Sequence, residues 1–530
     1  MNQRRAAVNR MRLARVGQAA IAMAVCAIAA GACARRGPEH APGTVQIDIE
    51  SSPTSTDPRF ATDAISSRIN ELVFDSLVRI SGDGEFTGDL AERIERPDPT
   101  TIVFHLKHAV QFSDGRELTS RDVKFTYDSI LAPGSMSAKR AGMIELAAVA
   151  APDDYTVVMT TRHPYAPALE LGLQGVVPVG TPLPAESIEA APPGTGPFAM
   201  RSYRRDESVT LVRNPYRTTP FDGAREILFK VVPDPTVRAL ELAEGICNLS
   251  ENNLEATVLP WLERHRALAV SNTPGTTYRY LAFNFHDSRL RDLRVRRAIA
   301  YSIDRAAIVN SMLRGTARLA TGMLAPENWA YDGEVMSYGY DPAKARRLLD
   351  EAGYRTGRDG MRALRFEFKT TPEGARLAEV FQAMLKRVGI RLEVRTLEWA
   401  TYYGDIQRGN FELTSLQWVG IEDPNYYYMV FDTAMAPPRG STNRGYYSNP
   451  EMDALVEAGQ RTLDPAARKE IYARVQKLAA LDLPYVSLWW VNNVAVLDRD
   501  LRGFEPYPNG SLRSLAAVTL AAPGGAEPAQ

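Results

Sequence analysis

Four helix starts in this chain are written the same way, and they restrict the folds open to it. Asp234-Pro235, Asp341-Pro342, Asn449-Pro450 and Asp464-Pro465 each place an N-cap oxygen before a proline. The proline takes the first helical position, where its missing N–H is not needed. After Asp341 the pattern is clearest: Ala345, Leu348, Leu349 and Ala352 share one face, and Gly353 stops the helix. Thr119 and Asp122, following the Asp114-Gly115 turn, form a capping-box variant that opens a helix carrying Val123 and Tyr127. Short alternating runs lie between such helices: Val45-Ile47-Ile49, Ile102-Phe104-Leu106, Val157-Met159, Leu211-Arg213, Ile227-Phe229-Val231, Tyr280-Ala282-Asn284, Leu364-Phe366-Phe368, Leu392-Val394 and Val486-Leu488-Trp490. Strands that alternate with helices predict an α/β fold. A chain of 530 residues has room for two or more domains. No Gly- and Ser-rich boundary divides it, which predicts lobes joined by strands rather than by a loose linker.

Composition removes several functions. Hydrophobic residues at 45% and charged residues at 24% are the balance of a globular protein. A net charge of -1, from 62 basic and 63 acidic residues, leaves nothing to mark a nucleic-acid binder. Cysteines stand only at 26, 33 and 247, so there is neither a disulfide framework nor a Cys-rich zinc site. Cys247 reads as a small buried hydrophobe. His105 and His108 are three apart in a strand and so face opposite ways, which argues against a metal pair. The motifs H-E-x-x-H, G-x-S-x-G and G-x-x-x-x-G-K-[ST] do not occur. No catalytic residue, cofactor or metal ligand is assigned, and the balance leans toward binding.

The opening segment predicts export. Arg4, Arg5, Arg10, Arg12 and Arg15 precede an uncharged run from Val16 to Ala32 that is too short to span a membrane and ends in small residues. Residues 1–32 read as a signal peptide whose removal takes the net charge from -1 to -6, since it carries five arginines and no acid. Ala30-Gly31-Ala32-Cys33 fits an A-x-A cleavage site and resembles a bacterial lipobox, departing from it at Ala30, where leucine is usual. A bare exposed thiol after the cut would be a liability, which favours acylation of Cys33. Residues 33–43 then form a lipid-anchored tether, and residues 518–530 a flexible tail.

Aromatic residues gather in one stretch. Trp399, Tyr402, Tyr403 and Trp418 precede Asp423-Pro424-Asn425-Tyr426-Tyr427-Tyr428, and Arg439, Asn443, Arg444, Tyr446 and Tyr447 follow. Rings beside amides, acids and arginines suit a cleft that stacks on a semi-polar ligand and aims a few hydrogen bonds at it. The alternative is that these rings are strand core and lobe packing.

Several segments in order resemble the extracytoplasmic solute-binding proteins of family 5, the peptide/nickel-type receptors of ABC importers. They are Ser52-Pro53-Thr54-Ser55-Thr56-Asp57-Pro58, Glu71 to Val78, Phe104 to Lys107, Val110 to Gly115, Leu118 to Val123, Gly194-Thr195-Gly196-Pro197-Phe198, Arg213-Asn214-Pro215-Tyr216, Leu281 to Asn284, Val295 to Arg305 and Asp341 to Tyr354. The resemblance implies a two-lobed periplasmic binding protein fold of type II, in its large variant with an extra subdomain, the lobes joined by two crossing segments. The crossings are placed at Tyr280–Phe285 and Val486–Val491. Lobe I is then 44–281 plus 490–517, with a subdomain at about 85–195, and lobe II is 282–489. Arg296 and Arg297 are read as surface or ion-paired residues of one helix, Asp292–Arg314.

The family also implies a function: capture of oligopeptides or similar solutes in the periplasm, for delivery to a permease and its ATPase, by a monomer held to the membrane through its lipid. In peptide receptors of the family an Asp in W-x-x-D holds the α-ammonium. Here Trp418-Val419-Gly420-Ile421 puts isoleucine there, which cannot pair with a charge. Glu422 or Asp423 is the candidate replacement, although Asp423-Pro424 is also a structural feature of the family. The expected ligand residues are Thr54, Thr56, Thr195, Trp399, Tyr403, Trp418, Glu422, Asp423, Tyr426, Asn443 and Arg444. Oligosaccharides, opines or metal chelates are the alternative solutes, and free nickel suits so few histidines poorly. A receptor without a transport role, or a secreted hydrolase lacking any nucleophile–base motif, are the readings of other classes.

Overall fold

Two long strands, Leu268–Phe283 and Tyr485–Asp498, run antiparallel from Leu268 opposite Asp498 to Ala282 opposite Tyr485. The computed structural model that shows them describes residues 43–82, 85–183, 191–217, 223–438 and 442–520. The expected signal peptide, Cys33, most of the tether and positions 521–530 lie outside these residues.

At one end of the pair, Tyr485–Asp498 also bonds to Leu249–Glu251, and the sheet continues through Thr44–Ile49, Glu226–Val231 and Ser208–Arg213 to Phe198–Arg204. At the other end, Leu268–Phe283 bonds to Leu413–Trp418, followed by Arg365–Thr370 and Arg391–Thr396. One sheet therefore passes through two lobes. Thr44–Ile49 pairs in parallel with two neighbours and is buried along its whole length, as strands covered on both faces are.

Period-two alternation divides the second lobe's core. Leu281 and Phe283 join Ile299, Phe366, Phe381 and Leu413 on one face of the sheet. Tyr278, Tyr280 and Ala282 join Tyr427, Phe431, Tyr472 and Tyr485 on the other. The first lobe has its own core around Ile47, Ile69, Leu72, Phe198 and Phe229.

The predicted helix starts at Thr119, Asp234, Asp341, Asn449 and Asp464 all open helices. Cys247 is fully buried. Several boundaries differ from expectation. Residues 278–283 and 485–490 pack into second-lobe cores, whereas Leu268 and Val496 pack into a first-lobe cluster. The crossings thus lie at Thr273–Thr277, where the pairing register shifts, and at Val491–Asn493. Alternation had marked only the apolar half of each strand, because the crossing itself is the polar run Ser271 to Thr277.

The subdomain is a four-stranded antiparallel sheet, Ala91–Asp98, Thr101–Leu106, Thr156–Thr161 and Leu146–Asp153, packed on the helix Ser120–Leu131. Its core runs from Leu77 to Val176, so it begins before residue 85. The expected flexible tail starts too early: Val518 is fully buried in the first lobe, and Thr519–Leu520 pairs with Leu501–Arg502. Asp292–Arg314 is two helices, Leu293–Ser302 and Arg305–Ser311, because Asp304 caps the second through the Ala307 N–H at 2.9 Å. Arg296 is no surface residue. It is buried and donates to the carbonyls of Leu290 (2.7 Å), Asp482 (2.6 Å) and Leu483 (3.2 Å).

Gly275 lies in the first crossing, where a Cβ would sit 2.4 Å from the Val491 carbonyl oxygen. Gly275→Ala is expected to destabilise the protein by about 1–3 kcal/mol through overpacking, read from urea midpoints.

Candidate functional site

The helix Trp399–Gln407 begins at Glu398, whose carboxylate accepts from the Ala400 and Thr401 N–H groups at 2.9 and 3.3 Å. Its helical spacing puts Trp399, Tyr402 and Tyr403 on neighbouring positions of one side. These rings are therefore on a helix and are not strand core. Tyr402 points inward, its hydroxyl sharing a 2.7 Å hydrogen bond with that of Thr414. Trp399 stays 54% exposed and stacks on Tyr403, centroids 5.3 Å apart and planes 13° apart.

Arg444 then enters from another segment. Its guanidinium carbon lies 5.1 Å from the Tyr403 ring centre and 4.8 Å from that of Trp418, and it donates to the Tyr403 hydroxyl at 3.1 Å. A buried cation between two ring faces is held by their quadrupoles. Trp418 ends the strand Leu413–Trp418 and stacks on Tyr280 at 6.3 Å, while Tyr280 stacks on Tyr485 at 4.1 Å. Tyr426 meets Trp418 edge-on at 6.1 Å. The result is a continuous aromatic wall with one arginine set into it. Tyr280 and Tyr485 belong to it although they stand far from the aromatic stretch in sequence; only the pairing of the two long strands brings them there.

The loop after Trp418 separates three neighbouring side chains into three roles. Ile421 is buried in the apolar core. Asp423 is held bidentately by Arg468 at 2.6 and 2.8 Å and accepts from the Asn425 N–H at 2.8 Å. It is a structural ion pair, which removes it from the expected ligand set. Glu422 is half-buried, and its carboxylate has no hydrogen bond or ion pair among the described residues; burial pushes it up to about 7.

A second acid faces this loop from the first lobe. Glu170, in the short helix Ala166–Leu173, is raised well above the usual carboxyl range by burial and then by Asp423 and Glu422, against the opposing pull of Arg468. Beside it, Asn425 donates to the Tyr165 hydroxyl at 3.2 Å and accepts from Gln460 at 2.9 Å, tying the lobes together. Sequence reasoning missed Glu170, but a signal existed: it is the only charge between Ala166 and Val179.

The remaining expected residues are engaged elsewhere. The Thr54 hydroxyl donates to Asp63, the N-cap of the helix Ala64–Val73. Thr56 is buried in the first lobe. Thr195 is also buried there; its carbonyl accepts from Arg217 at 2.9 Å, and its hydroxyl has no partner among the described residues. Asn443 donates to the Asp432 and Tyr447 carbonyls at 2.9 and 2.7 Å, so it holds a loop rather than a ligand. Among the described residues no group of three or more His, Cys, Asp and Glu is placed to hold a metal ion, and no helix is long and apolar enough to cross a membrane.

Residues 85–436, more than half of the chain, match bacterial extracellular solute-binding proteins, family 5, middle region. The chain belongs to this family. The solute-binding protein is 26% identical over 502 residues to the dipeptide-binding protein of Escherichia coli (strain K12), covering 87% of this chain and 92% of that one. Its fold is similar to that of the oligopeptide-binding protein AppA of Bacillus subtilis, solved with a nonapeptide (TM-score 0.82, 24% identity, 91% of this chain and 99% of that one). It is also similar to NikZ of Campylobacter jejuni, solved with Ni(L-His) (TM-score 0.81, 22% identity, 91% and 100%). These likenesses show the two-lobed type II fold.

Two substitutions separate the acids of the solute-binding protein. Asp423→Ala strands the buried Arg468 charge and is expected to cost about 3–5 kcal/mol in urea unfolding. Glu422→Gln should act in the opposite direction. A carboxyl near 7 in the fold, against 4.5 ordinarily, gives stability below the ordinary value that is lost as pH rises through the folded one. The glutamine variant is therefore expected to be more stable than wild type by about 1–3 kcal/mol at roughly pH 8 and no more stable near pH 4.5.

Proposed function

We propose that the protein is an exported peptide receptor of an ABC importer, binding peptides by their free α-ammonium at Glu422 and laying them along the wall of Trp399, Tyr403, Trp418 and Tyr426. The observation that carries this reading is the state of Glu422. It is the acid of the Trp418 loop left without a partner, whereas Ile421 cannot hold a charge and Asp423 is taken by Arg468. Burying such a carboxylate beside rings and away from a cation is unfavourable until an ammonium arrives. Relatives named as dipeptide- and oligopeptide-binding proteins support the ligand class. Arg444 braces Tyr403 and Trp418 and keeps the wall flat. No bond is made or broken; affinity comes from desolvating the ligand between the lobes. The signal peptide at 1–32 and acylation of Cys33 fit the same role, holding the receptor outside the cytoplasm beside its permease.

A solute without an ammonium is the second reading, favoured by the buried Ile421. The two separate in a titration of a free-amine tetrapeptide against its N-acetylated form. Acetylation is expected to weaken binding by about 100-fold, and Glu422→Gln to remove that difference. Equal binding of both forms, or of an oligosaccharide in their place, would overturn the peptide reading. For the anchor, Cys33→Ser is expected to move the protein from the membrane to the soluble fraction on cell fractionation.

A further inference from the structure

The first lobe contains a cavity that the aromatic wall does not use, lined largely by apolar core residues such as Ile47, Ile69 and Phe229, with Glu251 and Arg68 among them. It opens to solvent at its mouth, and the enclosed space is about 20 Å³. It lies at the ends of the strands Thr44–Ile49 and Leu249–Glu251, against the helix Ala64–Val73, and Asp48, Glu50, Arg68, Glu251 and Asn253 are in its wall. Of these acids Glu251 is the one that feels Arg68; Asp48 alternates to the other face of its strand, toward Gln46, Glu241, Cys247 and Lys230.

Glu251 is the unusual member. It is only 5% exposed, yet neither carboxylate oxygen has a hydrogen-bond partner among the described residues. Buried polar oxygens are almost always satisfied, so a pair of orphans on one carboxylate marks a missing partner. Asp48 is also fully buried, with one oxygen accepting from Gln46 at 3.0 Å and the other without a partner among the described residues, but it lies on the opposite face of its strand and is not part of this wall's charge. Arg68 lines the same wall and favours the ionised form of Glu251, but does not bond to it. Glu71, on the helix of Arg68, is occupied by the Ser511 hydroxyl at 2.8 Å and the Leu512 N–H at 2.6 Å. Asn253 donates to the Asp48 carbonyl at 2.8 Å and to Glu50 at 3.5 Å. Among the described residues no group of three or more His, Cys, Asp or Glu side chains is placed to hold a metal ion, and a single buried carboxylate suits an organic cation.

The position of the cavity connects it to the ligand. Asn252, next to Glu251, bonds to Asn493 at 3.1 Å in the second crossing, and Asn493 donates to the Tyr507 and Pro508 carbonyls at 2.7 and 2.8 Å. The same loop reaches Gly510, where a Cβ would lie 2.6 Å from the Arg68 guanidinium, and it meets the second lobe at Asn509, 3.5 Å from a Cβ built on Gly420. Gly420 is in the Trp418–Glu422 loop. The cavity thus borders the crossing on the side where the two lobes touch.

We propose that this cavity is a second subsite, in which Glu251 receives the ammonium or guanidinium end of a basic side chain of the bound peptide. The proposal rests on the peptide reading above and adds a preference for lysine or arginine that the aromatic wall does not supply. Burial pushes the Glu251 carboxyl up to about 7, with Glu71 adding to it and Arg68 opposing. A cation that enters near neutral pH therefore displaces a proton.

The test is isothermal titration of the mature protein near neutral pH with Ala-Lys-Ala and with Ala-norleucine-Ala, in two buffers of different ionisation enthalpy. The lysine peptide is expected to bind about tenfold tighter and to release more protons than its uncharged isostere. Glu251→Gln should abolish both differences while leaving the norleucine peptide unchanged. Equal affinity and equal proton release in the wild type would overturn the subsite, leaving Glu251 to water or to a shifted Arg68. If neither peptide binds, the peptide reading fails, and the cavity is read directly with n-butylammonium. A rise in the thermal midpoint of the wild type, absent in Glu251→Gln, supports the cation subsite, and no rise overturns it.

Discussion

The hydrogen-bond ladder between Leu268–Phe283 and Tyr485–Asp498 is the constraint on which the rest of the molecule depends. Each strand belongs to both lobes, so the two cores are joined by backbone and not by a linker. A ladder resists shear and sliding but bends where its register is already broken, here between Thr273 and Thr277. Relative motion is confined to opening and closing about that break. The aromatic wall depends on the same pair, since Tyr280 and Tyr485 face one another from its two strands.

The chemistry between the lobes is uneven in a consistent direction. Cations are placed where they have work in the fold: Arg468 on Asp423, Arg296 on four carbonyls, Arg444 between two rings. Acids near the lobe boundary are left short of partners, namely Glu422, Glu170 and Glu251. A protein interior that buries carboxylates without hydrogen-bond partners is poised to accept positive charge. A solute with that charge would relieve several unfavourable burials at once, and this differential interaction can bias the lobes toward closing.

The fold was largely legible because its signals are local. Asp-Pro and Asn-Pro helix starts and two-residue alternation operate over a few positions, and both survive folding unchanged. The lobe boundary was less legible: the crossing strands are apolar only where they cross a core, so the polar run at Ser271–Thr277 carries no alternation to mark it. Within the site, Trp399, Tyr403, Trp418, Tyr426 and Arg444 were found from composition, and they do meet. Glu422 and Asp423 were both candidates, but sequence could not tell them apart, because an acid's role depends on what reaches it from elsewhere. Asp423 and Glu422 are adjacent in sequence, yet one meets Arg468 and the other meets nothing. Glu170 and Glu251 were missed for the same reason: being unpaired is a property of the folded chain.

Both ends of the described chain, Thr44 and Leu520, lie in strands of the first lobe, and the second lobe is entered and left only through the crossings. The molecule is therefore built like a stator and a rotor. With the first lobe taken as the fixed frame, closing is a swing of the second lobe toward it. A docking partner that grips only the first lobe would not register whether solute is bound. One that touches both would feel the swing directly, as a change in the distance between two surfaces that share a single sheet.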